Sequence, residues 1–297
     1  SAAGYQWLFT ELKQRLNFAA DCEITLEANP GTLEHQPFTD YLQAGINRLS
    51  IGVQSFDNEH LQRLGRIHSS DNAQKAIQQA RQAGFERVNV DLMHGLPQQT
   101  LEQALLDLRL AVECGATHVS WYQLTIEPNT VFFRTQPILP EEDLLLEIQQ
   151  QGEAYLKAQG FINYEVSAWR KELPSRHNLN YWQFGDYLAI GAGAHGKVSQ
   201  PDGIYRFQKS RMPKDYLAKV PAPALQWQRI DDEDMPFEFM MNALRLNEGV
   251  PSEFYQQRTG LPLSSTAATV EKLQQQQLLI EDPERLACTE KGHLFLN

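Results

Sequence analysis

Residues Glu86–Pro97, ERVNVDLMHGLP, decide the fold class. Val88, Val90 and Leu92 alternate with polar positions, so the run reads as a buried strand that ends in an acid, Asp91, and then opens into a turn at His94 and Gly95. In a parallel β/α barrel the C-terminal ends of the strands carry the chemistry. A carboxylate at that point therefore reads as ligand-facing, and Asp91 is the first candidate site residue.

The same pattern recurs upstream and downstream. Glu23–Pro30 (EITLEANP) is a β-rich run ending in Glu27, Ala28, Asn29 and Pro30; Arg48–Phe56 (RLSIGVQSF) ends in Gln54 and Ser55; His118–Leu124 (HVSWYQL) leads to Glu127 and Pro128. Helices are expected between them, over Gln36–Ala44 with Gly45 behind, Ser70–Ala83 with Gly84, and Thr100–Glu113 with Gly115. Strand, helix, glycine, strand at intervals of about 30 residues marks successive βαβ units and a parallel sheet. The fold class is α/β: a partial (β/α) barrel with parallel strands. Ser1–Gln14 fits a further helix.

After Met235 the pattern changes. PFEFMMNALRL, PSEFYQQRTG and LSSTAATVEKLQQQQ read as three helices, and LLIEDPERLACTEKG as a two-strand wing, a mainly helical winged-helix-like domain. The expected division is residues 1–212 for the barrel and its extension, 213–234 for a connector with prolines at 213, 221 and 223 and the acidic run Asp231–Asp234, and 235–297 for the C-terminal domain. A winged helix normally suggests DNA, but the net charge of −11 opposes it and the third helix offers few cations, so no nucleic acid is expected. With 297 residues, 42% hydrophobic, the chain can bury a large core. No run of 18 apolar residues and no signal peptide occur, so a cytoplasmic location and at most peripheral membrane contact are expected.

LEANPG, SIGVQSF with LGRIH, VDLMHGLP, YQLTIEPNT, HNLNYW and AIGAGAHG, in that order, carry a resemblance that runs from about Asp21 to the last residue. Together they resemble the radical S-adenosylmethionine family that contains oxygen-independent coproporphyrinogen III oxidase, and within it the haem chaperone branch. The resemblance implies a [4Fe–4S] cluster on a CxxxCxxC loop, S-adenosylmethionine, and haem. Such a cluster needs thiolates. Here the three cysteines, Cys22, Cys114 and Cys288, stand 92 and 174 positions apart, and no pair has cluster spacing. The glycine-rich segment expected after the second family strand is also missing. The chain is accordingly read as an N-terminally truncated piece of a longer protein, with no cluster expected on the residues present.

What the resemblance implies for the other cofactor falls on a spaced set. Glu27, an acid followed by Asn-Pro-Gly, would contact its ribose or amino-acid part; Gln54 would hydrogen-bond it; Arg66 would meet its carboxylate with a fork of donors; Asp91 would accept from ribose hydroxyls. For haem the first candidate is His177 in HNLNYW, an imidazole beside Tyr181 and Trp182; a histidine tied into a turn by its amide neighbours is the plain alternative. His195, among glycines that let backbone approach a ligand closely, is the second. The implied function is binding haem and delivering it to acceptor haemoproteins, with a homodimer as the assembly to test for. The alternatives are oxidative decarboxylation of coproporphyrinogen III and, more remotely, a winged-helix regulator. No catalytic residue is assigned.

Overall fold

The computed structural model describes residues 1–31, 37–218 and 226–296. Gln36, at the start of one expected helix, and the prolines at 221 and 223 lie outside the described residues. The chain divides into two compact units, Ser1–Pro174 and Ser175–Asn297.

The first unit runs α1 (Ala2–Lys13), β1 (Thr25–Ala28), α2 (Phe38–Gln43), β2 (Arg48–Gln54), α3 (Asn58–Arg63), α4 (Ser70–Gln82), β3 (Arg87–His94), α5 (Leu101–Glu113), β4 (His118–Gln123), α6 (Val131–Thr135), α7 (Glu142–Ala158), β5 (Ile162–Glu165) and β6 (Ala168–Arg170). The sheet order is β1-β2-β3-β4-β6-β5. β1 to β4 pair in parallel, as the βαβ spacing requires, whereas β5 and β6 form an antiparallel hairpin on β4. That hairpin follows α7 and was not foreseen, because INYE and AWR are too short to carry a period.

Local chemistry sets the helix limits. Ser69 and Thr100 each open a helix with a reciprocal capping box, to Asn72 and Gln103 respectively, which satisfies amides the first turn leaves without partners. α4 and α5 stop where Gly84 and Gly115 take φ of 101° and 100°, a backbone state side chains resist.

Strand parity then sorts the residues. Leu49, Ile51 and Val53 of β2, Val88, Val90 and Leu92 of β3, and Val119 and Trp121 of β4 pack with Ala73, Ile77 and Ala80 of α4, Ala104, Leu108 and Ala111 of α5, and Ile148 and Leu156 of α7. The alternate positions carry Ser50, Gly52, Gln54, Asn89, Asp91, His118, Ser120 and Tyr122. One face of the sheet is hydrocarbon and the other polar. Gly152 lets α7 settle on Trp121, since a Cβ there would stand 2.0 Å from the ring. Gly152→Ala is expected to destabilise the protein by about 2 kcal/mol through overpacking despite the better helix propensity of alanine, read as a lower thermal midpoint; an unchanged or raised midpoint would contradict this packing.

The second unit holds α8 (Arg176–Trp182), β7 (His195–Gln200), β8 (Gly203–Gln208), α9 (Pro213–Ala218), β9 (Gln226–Arg229), α10 (Met235–Ala243), β10 (Val250–Pro251), α11 (Glu253–Thr259), a 3-10 turn at Leu263–Thr266, α12 (Ala267–Gln275), β11 (Arg285–Leu286) and α13 (Glu290–His293). β7, β8 and β9 make an antiparallel sheet, and β10 pairs with β11. The expected three helices are present, centred on Phe239, Ala243, Val250 and Tyr255. The stretch read as a two-strand wing differs: β11 pairs with β10, which lies between α10 and α11, and within the stretch itself only an isolated bridge joins Leu279 to Cys288 among the described residues. The compact division falls at Pro174/Ser175, upstream of the 213–234 stretch read as a connector, and that stretch itself contains α9 and β9. Residues 175–212 therefore group with the C-terminal part. Among the described residues no helix is long and apolar enough to cross a membrane.

Candidate functional site

Each unit presents one candidate surface. In the first it is the polar face of the sheet. Asp91 is not the last residue of its strand: β3 continues to His94 because β4 pairs with it as far as Gln123. The Asp91 carboxylate accepts from Ser50 Oγ at 3.2 Å and from Asn89 Nδ2 at 2.7 Å. Burial pushes its carboxyl above the usual range, bonds from Asn89, Ser120 and Ser50 work against that, and the charge of Glu27 adds to it.

Around this acid the sheet builds a network. Asn89 Oδ1 meets His118 Nδ1 at 2.6 Å and accepts from Ser120 Oγ at 3.1 Å, while His118 Nε2 lies 2.9 Å from the Tyr164 hydroxyl. Gln54 closes β2 with φ of 70°, uncommon for a residue with a side chain, and accepts from the Tyr122 hydroxyl at 2.7 Å. Beyond it, exposed Arg66 donates to Asn29 Oδ1 at 3.3 Å. Gly52 leaves room for this approach: a Cβ there would stand 3.1 Å from Gln54 Nε2 and 3.3 Å from Asn29 Oδ1. The Tyr122 hydroxyl is pushed up by burial and by Asp91, and down by Arg66. Of the set implied by the resemblance, Glu27 acts electrostatically on Asp91, and Tyr122 links the others, bonding to Gln54 and sensing both Asp91 and Arg66. Ser50, Asn89, His118, Ser120, Tyr122 and Tyr164 join them unforeseen, although the signal was there as polar residues at every second position of apolar strands. His94 has the other parity; its ring sits 4.3 Å from that of Trp121 and burial pushes it down to about 4, so it is a neutral core residue.

The cysteines do not suit a cluster. Cys22 is half-buried before β1, Cys114 is buried at the end of α5, and Cys288 is buried in the second unit. Burial pushes the Cys114 thiol up and that of Cys288 to about 11, the opposite of what a thiolate ligand needs. Among the described residues no three His, Cys, Asp or Glu side chains gather as a metal site.

In the second unit, HNLNYW forms α8. Ser175 caps it by accepting from the Asn178 amide and lies 3.0 Å from His177 Nδ1. The turn after it is strained: Phe184 has φ of 57°, and a Cβ on Gly185 would fall 2.1 Å from Asn180 Oδ1. This chain reversal lines a cavity of about 350 Å³ with Tyr181, Trp182, Phe184, Tyr187, His195 and Lys197, joined by Arg206 and Asn242. A second cavity of about 720 Å³ shares Tyr187, His195 and Arg206 and adds Phe207 and Trp227. His195, Tyr181 and Trp182 are thus brought together. His177 is not among the lining residues; its ring lies 6.3 Å from Tyr181, which packs edge-on at 4.7 Å from Tyr187. Lys197, deeply buried, donates to Phe184 O at 3.1 Å and to Asp186 at 3.0 Å, and Asp186, accepting from Lys197 and from the Ser199 amide and hydroxyl, is held below the ordinary carboxylate range despite its partial burial.

The Radical SAM superfamily model matches residues 3–111 and the HemN C-terminal domain model residues 230–295. The protein named Heme chaperone HemW of Haemophilus influenzae is 48% identical over 299 residues, covering 100% of this chain and 78% of that protein. Its namesake in Escherichia coli K12 is 48% identical over 300 residues, covering 100% and 79%. Among solved structures, coproporphyrinogen III oxidase (HemN) from Escherichia coli, described as a radical SAM enzyme, superposes with a TM-score of 0.79 at 23% identity, covering 100% of this chain and 73% of that one, which speaks for the fold. The sheet, the helical C-terminal region and these relatives agree: the chain belongs to the radical SAM superfamily, in its haem chaperone HemW branch.

Proposed function

We propose that this chain binds haem and delivers it to acceptor haemoproteins. The observation that carries the reading is the cavity of the second unit, where Tyr181, Trp182, Phe184, Tyr187 and His195 stand beside two cations, Lys197 and Arg206. A porphyrin asks for flat apolar cover, an axial ligand and charge for its propionates, and this lining offers each. His195 supplies an exposed imidazole at the cavity; His177 is the second candidate ligand, one ring away through Tyr181. The names of the 48%-identical relatives support the same reading.

In the first unit, Glu27, Gln54, Arg66 and Asp91 are proposed to hold S-adenosylmethionine, which in this family supplies radical chemistry when bound together with a cluster. Asp91, already accepting from Ser50 and Asn89, keeps lone pairs for ribose hydroxyls, and exposed Arg66 and Glu27 suit the carboxylate and ammonium of the methionine part. Cytoplasmic location, homodimerisation, peripheral membrane contact and the absence of nucleic-acid binding stay with this reading as proposals.

The test is a titration of the protein with ferric haem and, separately, with coproporphyrinogen III. A Soret band that shifts and saturates at a fixed stoichiometry, with no decarboxylated product, is the expected result. An unshifted band sinks the haem reading, and product formation would favour the oxidase.

A further inference from the structure

We infer that Arg206 receives a carboxylate of the bound macrocycle, and that Glu238 holds the guanidinium in place for it; this rests on the haem reading above. Arg206 lies on β8 and is one of three residues common to both cavities, with Tyr187 and His195. It is the cation with donors to spare. Lys197 already serves Phe184 O and Asp186, whereas Arg206 engages Glu238 through Nη2, its Nε is buried without an acceptor, and its side chain is 41% exposed. Glu238 thus satisfies one end of a five-donor group and leaves the rest to an acceptor that arrives from the cavity side.

The chemistry selects a carboxylate. A guanidinium is a planar fork that matches a carboxylate in two parallel hydrogen bonds, and it sits here beside aromatic rings suited to a flat ligand. Glu238, only 19% exposed on α10, keeps the fork from collapsing onto the rings before the ligand arrives, at the cost of repelling the incoming anion. The plain alternative is that the Arg206–Glu238 pair only ties β8 to α10. The two roles differ in what they predict for the ligand.

The experiment compares ferric haem with its dimethyl ester, which keeps the ring and iron but lacks both carboxylates, on the full chain. The parent is expected to bind haem about tenfold more tightly than the ester, the effect of one charge-assisted hydrogen-bond pair. Arg206→Gln should erase that preference by weakening haem alone, and Arg206→Lys should keep part of it. Glu238→Gln, which keeps an oxygen to accept from the guanidinium but removes the charge that repels the anion, should preserve or widen it, whereas Glu238→Ala, which releases the fork, should narrow it. Equal affinity of the parent for haem and ester, or an equal loss of both in Arg206→Gln, overturns the assignment while leaving the haem reading intact. No Soret shift with either ligand in the parent overturns both. Should Arg206→Gln fail to fold, the ester comparison in the parent and Glu238→Gln still decide.

Discussion

Replacing Asp107 by Ala is expected to cost about 3 kcal/mol of stability and to lower the melting temperature by roughly 10 °C. Asp107 is a buried carboxylate of α5 that receives Ser55 Oγ at 2.9 Å and the Phe56 amide at 2.6 Å. It clamps the loop that leaves β2 directly after Gln54, so its loss strands two buried donors and frees a candidate ligand-binding residue. The pH dependence gives a sharper signature. Burial drives the Asp107 carboxyl up to about 7, against the pull of its bonds to Phe56 and Ser55. A carboxyl raised on folding contributes nothing adverse below the ordinary value of 3.8, and the folded state loses stability as the pH rises through about 7, by an amount of order 4 kcal/mol. Asp107→Asn keeps an acceptor for Phe56 and does not titrate. Its stability relative to the parent should therefore rise between pH 4 and 8 and then level. Parallel melting curves for the two proteins across that range would refute the assignment.

The second large effect concerns haem. Removing both candidate imidazoles, His177→Ala with His195→Ala, is expected to weaken haem binding about a hundredfold and to move the Soret band to that of a weakly ligated iron. Each single replacement should weaken binding about tenfold and shift the band, His195 because it lines the cavity and His177 because it backs Tyr181. His293→Ala, in α13, should do neither. A double variant that binds haem like the parent moves the site away from α8 and β7 altogether, and a single variant that does so removes that histidine from it.

Where strands and helices lie was legible because period and capping are local. Val88, Val90 and Leu92 told of a buried strand, and all three are fully buried. Ser69, Thr100, Gly84 and Gly115 punctuate α4 and α5 within a residue or so of the expected ends. The grouping of Glu27, Gln54, Arg66 and Asp91 came from the family resemblance, and parallel order is compatible with it because successive strands that run the same way put their ends on one side.

What the sequence by itself determined, then, is the parallel βαβ order, the helical C-terminal region and the residue types on the polar face. Tertiary structure decided how far each strand runs and what its polar residues do. Asp91 proved to sit three residues short of the end of β3 because β4 continues to hydrogen-bond alongside it. Antiparallel pairing sets Lys197 of β7 opposite Arg206 of β8, and folding brings α8 and its strained turn at Phe184 to the same cavity. A run of aromatic and amide residues such as HNLNYW names the ingredients of a haem seat, but which rings face the cavity depends on helical phase and on strands distant in sequence, and these enter only once the chain is packed.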